Sequence, residues 1–153
     1  LIRVEADELT YNLHVAARFE LERKLVNGDL SVAELPMAWN AAYDYWVGVT
    51  PDTDADGCMQ DVHWSMGAIG YFPTYTLGTL LAAQLFEKVR AEIPGLEAGF
   101  AKGEFAPLLA WLRANVHGKG SLADTDTILS QATGAPLGTA AFKAHLEKRY
   151  LAA

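Results

Sequence analysis

The chain has 153 residues, 51% hydrophobic and 20% charged, which predicts one folded domain with a packed core and excludes a disordered chain. Its 19 acidic and 12 basic residues give a net charge of -7, which argues against nucleic acid or an anionic membrane as the main partner. The single cysteine, Cys58, excludes an intrachain disulfide and a four-thiolate zinc site.

Apolar side chains recur with helical spacing through most of the chain. In the first segment, Leu9, Leu13, Ala17, Leu21 and Leu25 repeat every four residues, which is typical of a helix with a buried face. Glycines, prolines and a Ser31–Glu34 capping box mark several helix ends. The pattern predicts helices at about 2–26, from Ser31 to Trp46, and at about 74–93, 105–117, 126–133 and 139–152.

The predicted fold class is all-α, with about six helices in a single domain over 1–153. Residues 49–74 are the least regular stretch, and no segment sustains the alternation of a strand. The chain begins at Leu1 in mid-pattern and without a methionine, so we expect it to be part of a longer protein.

Neither a calcium-binding EF-hand loop nor a local zinc site is predicted from these residues. The loop at 52–57 matches the opening of an EF-hand, but the twelfth position, which requires a glutamate, is His63. The other histidines, His14, His117 and His145, are too far apart in sequence to form a local zinc-binding pair, and H-E-x-x-H is absent. We therefore predict no metal ligands in this chain.

Two segments carry residue types suited to chemistry. Arg3, Asp7, Thr10, His14 and Arg18 form one polar stripe on the predicted first helix. Such a stripe faces either a polar network or a wet cleft, or else consists of ordinary surface neighbours, and the spacing leaves both open.

The second segment places an acid, an amide, a histidine and two tyrosines near glycine and proline: Asp61, Gln60, His63, Tyr71 and Tyr75. His63 has the chemistry to donate to an oxyanion, with Asp61 or a carbonyl orienting it. The alternative is a core turn packed with aromatic residues, and the residue types alone slightly favour that alternative.

Longer motifs favour a functional site over a core turn packed with aromatic residues. The pattern I-R-x-x-A-D begins at Ile2, G-x-x-Q-D-x-H-W begins at Gly57, and G-Y-F-P-T-Y-T-L-G begins at Gly70. In these motifs the chain resembles the carboxypeptidase Taq family of zinc metallocarboxypeptidases. The likeness extends across the whole chain and is less specific after about residue 104.

This resemblance implies an all-helical, two-lobed fold similar to that of angiotensin-converting enzyme and neurolysin. It implies a cytoplasmic enzyme that removes single residues from peptide C-termini with zinc or another divalent metal. The family's H-E-x-x-H and its third metal ligand are missing from this chain. We therefore expect the C-terminal part of such an enzyme, inactive alone and lacking its N-terminal part.

The resemblance also assigns roles. Arg3 would bind the carboxylate of the peptide terminus, His63 would stabilise the tetrahedral intermediate, and Tyr71 or Tyr75 would assist it. Asp7, Gln60 and Asp61 would support these groups.

The alternative hypotheses are a free-standing helical module that binds peptide ends and a dimerisation scaffold. For the C-terminal part of an enzyme we expect a homodimer through the first helix and the His63–Tyr75 region, because the apolar rows of the first helix cover two sides and the missing part would leave them uncovered.

Overall fold

The computed structural model describes residues 1–151 and confirms the all-α class, since no strand occurs within them. Seven α-helices follow in chain order, with short 3₁₀ turns at Arg3–Glu5, Val32–Glu34 and His117–Lys119. The α-helices are α1 (Tyr11–Asn27), α2 (Leu35–Val47), α3 (Pro73–Glu92), α4 (Leu96–Phe100), α5 (Ala106–Asn115), α6 (Thr125–Thr133) and α7 (Ala140–Leu146).

The chain divides into two compact units, Leu1–Leu77 and Gly78–Ala153, and the boundary falls within α3. Each unit has its own cluster of buried apolar side chains. The expectation of a single domain stays a prediction. No helix in the described part of the chain is long and apolar enough to cross a membrane.

In the first unit, α1 packs on α2 around Ala17, Leu21, Trp39 and Tyr43, which are at most 1% exposed. The predicted capping box is confirmed, because the Glu34 carboxylate accepts hydrogen bonds from the backbone N–H and the hydroxyl of Ser31. Both helices end at glycines with positive φ, and this matches the glycine caps expected from the sequence.

The predicted start of the first helix at residue 2 is wrong. Residues Arg3–Glu5 form a 3₁₀ turn, Ala6 is extended, and α1 begins at Tyr11. The cause is local, since Oδ1 of Asp7 accepts hydrogen bonds from the backbone N–H and the hydroxyl of Thr10. An aspartate that binds backbone three residues ahead competes with a continuing helix and favours a new start.

In the second unit, the buried cluster is made by α3, α4, α5 and α6. Its members are at most 9% exposed: Leu85, Val89, Leu96, Trp111, Leu129 and Ala132. The short α4 was not expected from the sequence. The last predicted helix is present as α7, continued by a π-helical turn at Glu147–Leu151, and its predicted end at Ala152 lies outside the described residues.

Candidate functional site

Charged and polar side chains lie inside the first unit, next to its apolar core. Arg3, His14, Arg18 and Glu22 are 4%, 2%, 0% and 5% exposed. The last three are four residues apart on α1 and therefore lie on one face of it. Of the polar stripe predicted from the sequence, Arg3, His14 and Arg18 are buried, while Asp7 is exposed and Thr10 is half-buried.

Arg18 is the centre of this network. Its Nε donates to Oδ2 of Asp61 at 2.6 Å, Nη1 donates to the carbonyl oxygen of His14 at 2.8 Å, and Nη2 donates to Oε1 of Gln60 at 2.7 Å. The guanidinium also lies over the ring of Trp39, 4.7 Å from its centroid. These contacts fix the turn at residues 60–61 against the middle of α1.

Asp61 lies between two arginines. Its Oδ1 accepts hydrogen bonds from Nε and Nη2 of Arg3 at 3.1 and 2.7 Å, while Oδ2 is bound by Arg18. Burial alone would raise the pKa of the Asp61 carboxyl, but hydrogen bonds and positive charge from Arg3 and Arg18 outweigh burial and lower it. Asp61 is therefore ionised at neutral pH.

Gln60 and Tyr43 complete the network on the other side of Arg18. Oε1 of Gln60 also accepts from the backbone N–H of Arg3 at 3.0 Å and from the Tyr43 hydroxyl at 3.4 Å. The same hydroxyl lies 3.2 Å from Nδ1 of His14. Burial, aided by the charge of Arg18, lowers the pKa of His14 to about 4, so this histidine is neutral at pH 7.

Arg3, the predicted carboxylate ligand, is held among aromatic rings. Its Nη1 donates to the Tyr11 hydroxyl at 2.9 Å, and its Cζ lies 4.8 Å from the ring centroid of Tyr75 and 5.8 Å from that of Phe72. A guanidinium has five N–H donors, and three of them are engaged by Asp61 and Tyr11. Within residues 1–151 the other two N–H groups, both on its terminal nitrogens, have no hydrogen-bond acceptor.

The structure brings His63 and Tyr75 into direct contact. Nε2 of His63 lies 2.9 Å from the Tyr75 hydroxyl, and the tautomer of the ring decides which group donates. Nδ1 of His63 has no hydrogen-bond partner among the described residues, and Oδ1 of Asp61 is 3.8 Å away from it. Burial lowers the pKa of His63, and the nearby arginines lower it further against the opposing charges of Asp61 and Glu22.

The other two predicted residues lie at the edge of this arrangement or outside it. Tyr71 is 48% exposed, and its ring centroid is 5.6 Å from that of His63 and 5.3 Å from that of Tyr75. Asp7 is exposed and caps the start of α1 through Thr10.

Glu22 was not identified from the sequence. Its Oε2 accepts a hydrogen bond from Nε1 of Trp64 at 2.7 Å, and its Oε1 accepts one from the backbone N–H of Gly70 at 2.6 Å. Gly70 has a φ of 79°, a conformation that suits glycine and turns its N–H toward Glu22. The available signal was spacing, because Glu22 continues the stripe of His14 and Arg18 by one more turn.

No group of three or more histidine, cysteine, aspartate or glutamate side chains that could hold a metal ion occurs in residues 1–151. The nearest acid to His63 is Asp61, whose oxygens are taken by arginines. The described residues therefore do not by themselves fit a metal centre. Whether the chain retains zinc in solution stays a prediction.

Comparison with known proteins identifies the family to which this all-helical chain belongs. The family model of the carboxypeptidase Taq (M32) metallopeptidases matches residues 1–150. The chain belongs to this family.

Individual relatives support the same family membership. The chain is 52% identical to thermostable carboxypeptidase 1 of Thermus thermophilus over 152 residues, which are 99% of this chain and 30% of that protein. It matches the solved M32 carboxypeptidase of Deinococcus radiodurans with a TM-score of 0.93 and 45% identity, covering 97% of this chain and 30% of the other. For Trypanosoma cruzi metallocarboxypeptidase 1 the TM-score is 0.93, with 42% identity and coverage of 99% and 32%. The chain thus spans about 30% of the curated relatives that it matches.

Proposed function

We propose that this chain is the C-terminal part of a cytoplasmic metallocarboxypeptidase that removes single residues from peptide C-termini. The observation that carries the proposal is the 2.9 Å contact between Nε2 of His63 and the Tyr75 hydroxyl, beside the buried guanidinium of Arg3. These are groups that bind developing negative charge and a carboxylate. Family membership supports the choice of peptide hydrolysis over other reactions with an oxyanion.

In this proposal His63 and Tyr75 act together on the oxygen of the scissile carbonyl. Each carries a polar hydrogen, the imidazole in its Nε2–H tautomer and the phenol in its hydroxyl. A carbonyl oxygen that displaces their mutual hydrogen bond accepts one from each group, and both bonds strengthen as charge develops in the tetrahedral intermediate. The position of Tyr71 against both rings supports an assisting role, and the direct hydrogen bond favours Tyr75 as the main partner.

Arg3 is proposed to bind the carboxylate of the peptide terminus through its two remaining N–H groups. A guanidinium edge that meets a carboxylate supplies charge and direction, which explains a requirement for a free C-terminus. Gln60 and Asp61 hold Arg3 in place, and Asp7 supports the segment that carries it by capping α1. Because Arg3 is only 4% exposed, the carboxylate must approach between the rings that surround it.

The metal, zinc or another divalent ion, and the general base are proposed to come from residues outside this chain. When bound, the metal would supply an activated water for attack on the scissile carbonyl. The 153-residue chain alone is therefore expected to be inactive. The chain is also expected to form a homodimer, and the exposed side chains of Leu9, Leu13 and Phe19 support this (51%, 36% and 43% exposed). Light scattering at micromolar concentration tests the association.

Kinetics of the enzyme that contains this chain test the proposed roles. His63→Ala should lower kcat by about 10²–10³, the usual cost of removing one donor to an oxyanion. Tyr75→Phe should lower kcat in the same direction, while Tyr45→Phe, a control at a 77% exposed tyrosine, should have no effect. Wild-type kcat in His63→Ala would contradict the proposal.

A separate comparison tests Arg3. Arg3→Ala should reduce the preference for a free over an amidated peptide terminus and act mainly on kcat/KM, since it removes a binding contact. Arg23→Ala, at an exposed arginine of α1, is the matched control. An unchanged preference in Arg3→Ala would instead limit Arg3 to holding Asp61 in place.

A further inference from the structure

The segment that carries His63 lies between α2 and α3 and has no α-helix of its own. A side chain in such a segment keeps a fixed position only where other groups hold its backbone on both sides. Two residues of α1, Arg18 and Glu22, reach this segment from consecutive helical turns.

The upstream anchor is Arg18. It binds the side chains of Gln60 and Asp61, three and two residues before His63. Its full burial and its third bond, to the His14 carbonyl oxygen within α1, leave it little freedom to move.

The downstream anchor is Glu22. One carboxylate oxygen holds the indole of Trp64, the residue directly after His63, and the other holds the backbone of Gly70, seven residues later. One side chain therefore closes the loop from 64 to 70. Trp64 in turn packs edge-on against Trp39 and Phe72, and the Phe72 ring lies 4.3 Å from the imidazole of His63 between centroids.

We propose that Glu22 is a positioning residue for His63, which acts by clamping Trp64 and Gly70 to α1 and so sets the imidazole against the Tyr75 hydroxyl. The catalytic consequence rests on the function proposed for His63. The clamp needs two acceptors, and only a carboxylate of this length supplies both. A glutamine has one acceptor oxygen, and its NH₂ group would face one of the two N–H donors.

The test substitution is Glu22→Gln, and the chain offers a matched control in Glu20→Gln. Glu20 is on the same helix, carries the same charge, and also accepts from an indole, Nε1 of Trp46 at 3.1 Å. The first readout is nuclear magnetic resonance of the 153-residue chain. In Glu22→Gln we expect the Trp64 indole and Gly70 amide signals to shift and the His63 ring signals to change, with the helical circular dichroism retained.

In Glu20→Gln the Trp46 indole signal should shift, along with signals near Lys24, to which Glu20 also binds, while the His63 ring signals should stay unchanged. Wild-type His63 signals in a folded Glu22→Gln chain would overturn the clamp. If Glu22→Gln does not fold, Trp64→Phe decides, because it removes one of the two bonds and keeps an aromatic ring in place. Trp64→Phe should then shift the His63 signals in a folded chain, and unchanged signals would overturn the proposal.

A double variant separates the clamp from a general loss of packing. In Glu22→Gln with Trp64→Phe, the glutamine oxygen is free to accept from Gly70 and no indole N–H opposes its NH₂. We expect the His63 signals of the double variant to match those of Trp64→Phe, so the two substitutions should be strongly non-additive. Additive changes would contradict the clamp.

The second readout is kinetic, in the enzyme that contains the chain. A displacement of about 1 Å at a reacting group costs up to about 10²-fold, so we expect kcat to fall about tenfold in Glu22→Gln with KM nearly unchanged. Glu20→Gln should keep wild-type kinetics. If His63→Ala has wild-type kcat, the proposed function fails, while the resonance experiment still decides whether Glu22 positions His63.

Discussion

The interiors of the two units differ in chemistry. In the first unit, α1 contributes His14 and Arg18 to a buried network that includes Arg3 and Asp61, and the buried Glu22 makes separate bonds to Trp64 and Gly70. In the second unit, the buried cluster consists of aliphatic and aromatic residues. Among residues 1–151, the buried charged and polar side chains all belong to the first unit.

The difference separates two roles of a protein interior: apolar burial provides stability, and buried charged groups fix the positions of particular side chains. Apolar burial is favourable at about 25 cal/mol per Å² and tolerates many shapes. Buried charges are costly unless each is paired and hydrogen-bonded, which happens in only one geometry. Asp61 pairs with both arginines, and each carboxylate oxygen of Glu22 accepts an N–H hydrogen bond, so these buried carboxylates are held in fixed positions.

The largest expected effect on stability comes from breaking the pairing of Asp61 with the two arginines. Asp61→Asn removes the negative charge between Arg3 and Arg18 and should lower the free energy of unfolding by about 3–5 kcal/mol. Urea denaturation of the 153-residue chain measures the change. Glu97→Gln is the control, because it removes an ion pair with Arg90 at the surface (side chains 63% and 34% exposed) and should cost about 0–1 kcal/mol. Equal losses would contradict the contrast between the units.

The next effect concerns the apolar interior. Leu129 is 2% exposed in the cluster of the second unit, so Leu129→Ala should cost about 2–5 kcal/mol through lost burial and the cavity left behind. Leu122→Ala, at a side chain that is 89% exposed, should change the free energy of unfolding by less than about 0.5 kcal/mol. A similar loss in both variants would mean that Leu129 does not belong to the core.

A smaller effect appears in the pH dependence of stability. The pKa of His14 is lowered to about 4 in the folded chain, so between pH 6.5 and 4 the unfolded chain binds more protons and stability falls as pH decreases. His14 alone should remove about 2 kcal/mol between pH 7 and pH 5.

His14→Gln should lose that part of the pH dependence and keep the part due to other groups. His117→Gln, at an exposed histidine, should retain the wild-type pH profile. Denaturation curves at both pH values decide, and a wild-type profile in His14→Gln would refute the assignment.

Helices whose ends carry clear capping residues, glycines or prolines could be predicted from the sequence. The capping box begins the 3₁₀ turn that leads into α2, and Gly48 marks the end of α2. The ends of α3 and α6 differ from the predicted ends by one residue at most. The start of α1 could not be located, because apolar spacing continues through residues 6–10 while the side chain of Asp7 binds the backbone of Thr10. Spacing does not reveal that competition.

The residues of the candidate site could be predicted from motifs, but the hydrogen bonds and ion pairs between them could not. The bonds from Arg3 and Arg18 to residues 60–61 join positions 42 to 58 apart in sequence, and no local pattern specifies such a pairing. Glu22 was overlooked because a glutamate on a helix is almost always exposed. Its burial follows from Trp64 and Gly70, which come to it from the distant loop.

The three-way bonding of Arg18 also has an evolutionary consequence. Each nitrogen of its guanidinium meets a different acceptor, and its plane lies over Trp39. Lysine has one nitrogen and no plane, so it cannot replace these contacts. Replacing Arg18 removes a donor from both Gln60 and Asp61, and replacing either of those residues leaves Arg18 with an unpaired buried N–H group. Single substitutions at these three positions are therefore expected to be costly.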